Sequence, residues 1–285
     1  MKKTTHVLKW LLCGSLAAGC GKLNPFDDET KEDSSVEVKA KVRDFREGNA
    51  TSSEGTHPHF NQNRGSCDAK ALGAHTVKPE LATTEGDDKA FPGDTKSPQL
   101  ADSLPRDIAR CFDPPDRFSD WFVDRGDDVN RPFYVVLKFD QTASGIYEYK
   151  NDKFFPIDNG AEFSKVSAGG PDPFGNLQTG TKDDVDLSQH VYGFTLEFHT
   201  RFKYSQGKGQ FIAFEGDDDL WAFINGTRAI DLGGIHVAEK DTVHLDNLGL
   251  ADQSDCALDF YFAERAVASS KLSIATNVVF MRPEE

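Results

Sequence analysis

The chain reads as an all-β protein, and three observations lead there. From Pro132 onward, short apolar runs recur at close spacing. Gly, Asn, Asp and Ser punctuate them, as turns between strands require. A sustained helical period appears nowhere, while 22 Phe are enough to fill a sizeable β core. At 285 residues one large all-β domain is accommodated. Many short strands at regular spacing mean a sandwich or a barrel.

In chain order, the first segment is an export signal over residues 1–19. Lys2, Lys3 and Lys9 make it basic, Trp10 to Ala18 is a short apolar stretch, and Ala17-Ala18-Gly19-Cys20 follows. The stretch is too short to span a bilayer. The end of it resembles a bacterial lipobox, which implies a diacylated Cys20 as the new N-terminus. Ala17 departs from that pattern, and cleavage near Ala18 with an incidental cysteine is the alternative. Residues 20–35 are polar and acidic and form a flexible tether. Val36 to Val42 alternates with period two, so the folded part, residues 36–281, starts with a strand.

Gly48 to Pro105 is rich in Gly, Pro, Thr, Ser and Asp. It is a long irregular insertion, packed locally or partly without order. Phe118 to Val123 has the aromatic spacing of a short helix. Strand signals then follow at Tyr134–Phe139, Ile146–Tyr149, Val191–Tyr204, Phe211–Phe214, Leu220–Ile224, Arg228–Leu232, Thr242–Leu245, Ala257–Ala263 and Leu272–Phe280. Export permits a disulfide. Cys67–Cys111 is the expected pair, because both lie in loop-like sequence, and Cys256 in its apolar run is expected to be a buried free thiol.

Asp217, Asp218 and Asp219 stand between two apolar runs, and therefore at a strand-to-strand corner. Three like charges there repel, and a proton or a hard divalent cation relieves the repulsion. Adjacent side chains alternate along a regular strand, so Asp217 and Asp218 reach one ion only through an irregular corner or a cis peptide. The plainer readings are a solvated acidic turn, or one of these acids capping loop amides. Gly233 and Gly234 allow close backbone approach, by a ligand or within a tight turn. Asp219, Gly233, Gly234, His236, Asp246 and Asn247 are further candidate metal or ligand contacts. Glu264-Arg265 ends a strand and reads as a structural ion pair.

The ordered motifs resemble the fibro-slime domain, a relative of the PA14 domain. They are Phe214 to Gly226, Ile230 to His236, Val243 to Leu250 and Leu258 to Arg265, with earlier pieces at Val42–Phe45, His57–Phe60, Phe118–Phe122, Phe154–Asp158 and Glu197–Thr200. The resemblance runs from about residue 36 to 281 and departs from the family at Ala266, where a histidine is common. It implies a PA14-like antiparallel β-sandwich or barrel. In sugar-binding members of that wider superfamily, such as yeast flocculins, two adjacent Asp residues hold calcium, and the ion coordinates sugar hydroxyls. The matching pair here is Asp217-Asp218, with Asp219 where many PA14 domains have Gly.

A net charge of −15 disfavours nucleic acid as a partner. The histidines lack the spacing of a helical zinc motif, and no nucleophile elbow or nucleotide loop occurs. The expected protein is a non-enzymatic, calcium-dependent carbohydrate-binding or adhesion domain. Its expected place is the bacterial cell envelope, lipid-anchored at the outer membrane or surface, with a glycan as partner. A structural slime-matrix component without a small ligand is the alternative, and a glycoside hydrolase ranks below both.

Overall fold

A computed structural model describes residues 34–45, 57–60, 66–84, 96–126, 129–157, 190–266 and 269–281. The export signal and Cys20 lie outside the described residues. All described residues belong to one compact unit that begins at Ser34.

Strand β1 (Ser35–Phe45) begins one residue before the alternation read from the sequence, and its Val36, Val38, Ala40 and Val42 face the core. It pairs along its whole length with β4 (Asn130–Gln141), from Ser35↔Asp140 to Phe45↔Asn130. The remaining long strands are β5 (Tyr147–Asn151), β6 (Phe194–Lys203), β7 (Phe211–Asp217), β8 (Asp219–Ile224), β9 (Thr227–Leu232), β10 (Glu239–His244), β11 (Asp255–Glu264) and β12 (Lys271–Thr276). Two short strands, β2 (Ala82–Thr83) and β3 (Lys96–Ser97), pair with each other, and β13 (Phe280–Met281) adds to β6.

All these pairings are antiparallel, and the main sheet runs β10-β7-β12-β5-β4-β1-β6-β11-β8-β9. Its two ends, β9 and β10, are consecutive in the chain and lie against each other, so the sheet is nearly closed. Closure removes most of the exposed edge that an open sheet would leave. The outer edge of β9 is covered by the insertion. The Arg228 N–H donates to Pro79 O at 2.7 Å and the Leu81 N–H to Gly226 O at 3.0 Å.

The sheet carries two apolar layers. Inside it, Phe198 and Phe214 both stack on Phe260, with centroids at 4.7 and 5.3 Å. Outside it, residues 57–60, 66–77 and 108–122 lay Phe60, Ile108, Phe112, Phe118, Trp121 and Phe122 over Trp221, Phe223 and Tyr261. Strand β8 therefore lies between two apolar layers and is buried at every position. That double burial is why Leu220 to Ile224 is a continuous apolar run rather than an alternation. The expected helix over Phe118–Val123 lies earlier and is tighter. It is a 3-10 turn over Pro115–Asp120, started by Pro115 and ending before Trp121. Its aromatics still face inward, with Phe118, Trp121 and Phe122 buried.

The insertion is fastened by Cys67–Cys111, whose Cα atoms are 6.5 Å apart, and Cys256 is free and buried. A second fastening is Asp231 on β9. Its carboxylate accepts from Thr76 N–H and Oγ1–H, Val77 N–H, Trp221 Nε1–H and Gly233 N–H, at 2.6 to 3.2 Å.

Candidate functional site

Strand β7 ends at Asp217 and β8 begins at Asp219, so Asp218 is the corner residue, and the Asp217–Asp218 peptide is cis. The three acids are almost fully buried, at 3%, 2% and 0% exposure. A buried carboxylate without partners is unstable, and each of these is held by different donors.

Asp217 lies opposite Lys271 in the β7–β12 pairing. One oxygen accepts the Ser269 hydroxyl at 2.6 Å and the other accepts the Lys271 N–H. Asp218 Oδ2 accepts two successive amides at the end of β11, Arg265 N–H at 2.8 Å and Ala266 N–H at 2.7 Å. Asp219 Oδ1 accepts Gly234 N–H at 2.6 Å, and its Oδ2 faces the Arg265 guanidinium. Arg265 in turn donates Nη1–H to Cys111 O at 2.8 Å and has Phe112 and Trp121 ring centroids at 4.9 and 4.7 Å.

Two more ionisable side chains complete the cluster. His236 has Nε2 3.0 Å from Leu232 O and Nδ1 2.8 Å from Val237 O. Only the imidazolium can donate to both carbonyls. Burial opposes that charge, but the two carbonyls and the charges of Asp219 and Asp218 outweigh it and raise the His236 pKa. Glu264 accepts Ala266 N–H through Oε1 at 3.2 Å, while its buried Oε2 has no hydrogen-bond partner among the described residues. Burial first, then the charges of Asp218 and Asp217, push the Glu264 pKa well above the ordinary carboxylate range. Burial and the Asp219 charge bring Asp218 to about 7 against the opposing pull of Arg265.

The structure thus brings Asp217, Asp218, Asp219, Gly234 and His236 together and separates other candidates. Asp246 and Asn247 follow β10 in a 3-10 turn, beyond His244↔Phe211, whereas the acidic corner adjoins Glu239↔Gly216. The two ends of that pairing are about 17 Å apart at the ordinary rise per residue. Asp246 instead accepts Tyr204 Oη–H at 2.7 Å and Gly207 N–H at 2.9 Å.

The close approach permitted by Gly233 and Gly234 is used by the insertion. A Cβ at Gly233 would lie 1.9 Å from Thr76 Oγ1, and one at Gly234, 1.8 Å from Cys67 O. Gly233 O accepts Ala69 N–H. Glu264 and Arg265 do not pair with each other. Adjacent strand residues face opposite ways, so Arg265 meets Asp219 while Glu264 joins the acidic side. Sequence reading missed both of those roles, and Ser269 as well.

Among the described residues, no three His, Cys, Asp or Glu side chains are arranged as a ready metal cage. Calcium does not need one, since carbonyl and water oxygens complete its shell. Asp218 Oδ1 and Glu264 Oε2 are the carboxylate oxygens here without a described donor, whereas both oxygens of Asp217 and both of Asp219 already accept one, so Asp217 would ligate through a remaining lone pair.

No family model matches the chain. It is 35% identical over 162 residues to protein psiC of Dictyostelium discoideum, covering 56% of this chain and 28% of psiC. Against psiQ of the same organism it is 34% identical over 171 residues, covering 59% of this chain and 16% of psiQ. The chain therefore spans less than a third of the length of these curated relatives. Two solved structures align over part of it. One is the PA14 sugar-binding domain from an RTX adhesin, with a TM-score of 0.28 and 11% identity, covering 48% of this chain and 76% of that one. The other is the PA14 domain of the MpAFP antifreeze protein, with a TM-score of 0.29 and 7% identity, covering 45% and 63%.

Proposed function

We propose that this chain carries a calcium-dependent carbohydrate-binding or adhesion domain, with Asp217 and Asp218 as ligands of the ion and no catalytic activity. The observation that supports it most is the charge balance of the corner. Asp217, Asp218 and Glu264 share one buried region, the nearby guanidinium is spent on Asp219, and the His236 imidazolium is the one other cation described beside these three carboxyl groups. Uncompensated buried carboxylates are costly, and a hard dication neutralises them while taking their oxygens as ligands. Asp217, Asp218 and Glu264, whose carboxylate has the Ser270 hydroxyl beside it, would hold it. The ion would supply coordination positions for vicinal sugar hydroxyls. This chain's own residues orient those carboxylates through the Ser269 hydroxyl and the Lys271, Arg265 and Ala266 amides.

The glycan half of the reading rests on the motif resemblance to fibro-slime and PA14 sequences. Export and acylation at Cys20, with a place on a bacterial cell envelope, belong to the same proposal. Labelled fatty acid is expected in the wild type and absent from Cys20→Ser. Equal labelling of both removes the anchor.

A second reading has its own support. The donors on Asp217 and Asp218 suffice to make this corner a clasp for Arg265, Ala266, Ser269 and Lys271, as in a structural matrix component without a small ligand. A glycan array probed with and without calcium separates the two. Calcium-dependent, chelator-reversible retention of a sugar is expected. Calcium binding with no retained glycan leaves a structural ion and ends the sugar-binding reading.

A further inference from the structure

We infer that the Cys67–Cys111 disulfide is a positioning element for the acidic corner, because each half-cystine belongs to a different clamp on the aspartates. The ligand in this inference rests on the calcium reading above; the positioning itself does not.

The first clamp is the Gly234–Ile235 turn. Cys67 N–H donates to Ile235 O at 2.9 Å, Ile235 N–H points to Cys67 Sγ at 3.3 Å, and Ser66 Oγ–H donates to the same carbonyl at 3.0 Å. Gly234 has φ +117° and carries Cys67 O where a Cβ would stand. The amide of that same residue donates to Asp219 Oδ1. Cys67 thus sets where one donor to the corner stands.

The second clamp is Arg265. Cys111 O accepts its Nη1–H, and the next residue, Phe112, lies against the guanidinium face. From that anchored position Arg265 binds Asp219 through its side chain and Asp218 through its backbone N–H. Ala266 N–H reaches the same Asp218 oxygen. The S–S bond ties the two clamps across 44 residues of chain.

Other contacts keep the insertion attached without the bond. Asp231 holds Thr76 and Val77, and Phe112, Phe118 and Trp121 are buried in the outer layer. Breaking the bond is therefore expected to loosen the corner while the sheet stays folded. A phosphine does this by taking the S–S bond to two thiols and leaving as its oxide, with water supplying the oxygen and protons.

The test follows amide exchange and calcium affinity in the oxidised chain, the phosphine-reduced chain and Cys67→Ser/Cys111→Ser. On reduction, the Gly234 and Ala266 amides should lose protection while β1 and β6 keep theirs. Calcium affinity should fall about tenfold, the equivalent of one hydrogen bond, and return on reoxidation. Unchanged protection at Gly234 and Ala266 in the reduced chain overturns the inference. So does loss of protection across β1 and β6 together with the corner, since the bond then supports the whole fold. If corner protection changes but neither redox form binds calcium, the positioning stands and the calcium reading falls.

Discussion

Arg265 meets Asp219 through two nitrogens, Nε and Nη2, each 2.7 Å from the same carboxylate oxygen, in a pair with no exposed surface on either side chain. The pair joins the end of β11 to the start of β8. Removing one partner of such a pair leaves the other buried and uncompensated. Arg265→Met is therefore expected to lower stability by about 3–5 kcal/mol, read as a shift in denaturant midpoint. Lys at this position is expected to recover little, because it lacks the planar fork that also reaches Cys111 O. A midpoint within experimental error of the wild type would show that the corner does not depend on this cation.

Asp231 is the hub that fastens the insertion to β9. An amide in its place puts an NH2 group against N–H donors already pointing there. Asp231→Asn is expected to cost about 1–3 kcal/mol and to open the Thr76 and Val77 amides to exchange. Wild-type exchange rates at both amides would refute the hub role.

Gly234 combines φ +117° with the backbone carbonyl of Cys67 at the Cβ position. Gly234→Ala is expected to destabilise by more than about 1 kcal/mol and to weaken calcium binding, since the turn must shift and Asp219 loses its amide donor. Gly226→Ala, with φ +80° and open space around it, serves as the comparison for backbone strain alone. Equal losses in the two variants would mean that contact with Cys67 contributes nothing.

On the outer face of the sheet, His199 stands between Asp259, 2.8 Å from Nδ1, and Glu197, 3.5 Å from Nε2. Burial opposes its charge, but the two carboxylates raise its pKa to about 9. A histidine raised in the folded state stabilises fully below its unfolded value of about 6.5, and that contribution is lost as pH rises through 9. The expected loss between those values is on the order of 3 kcal/mol. It should be absent from His199→Gln, so parallel pH profiles for the two proteins would reject the assignment.

Much of this fold was legible because its signals are local. Alternation at Val36, Val38 and Val42 marks β1, and the Asn225-Gly226 turn closes β8 onto β9. The acidic corner was legible for the same reason, as three charges between two apolar runs. What joins it was not. Glu264, at the end of β11, and Ser269, just before β12, reach the corner from positions distant in sequence, and Cys67 and Cys111 arrive from segments whose composition resembles a loop. Asp246 and Asn247 could be read as further oxygen donors or as a plain turn, because composition does not show which end of β10 a turn occupies. The two glycines announced a close approach correctly as backbone chemistry, but whether a ligand or another part of the chain approaches is a tertiary fact.

The central claim is that Asp217 and Asp218 bind calcium. Thermal melting with increasing calcium, for the wild type and for Asp217→Asn/Asp218→Asn, tests it most directly. An ion present at 100 times its dissociation constant stabilises the fold by about 2.7 kcal/mol, so the wild-type melting temperature should rise with calcium and fall back with a chelator while the double variant does not respond. A wild-type melt insensitive to calcium and chelator, with no calcium in the purified protein, would contradict the account and leave these acids as a clasp for the end of β11.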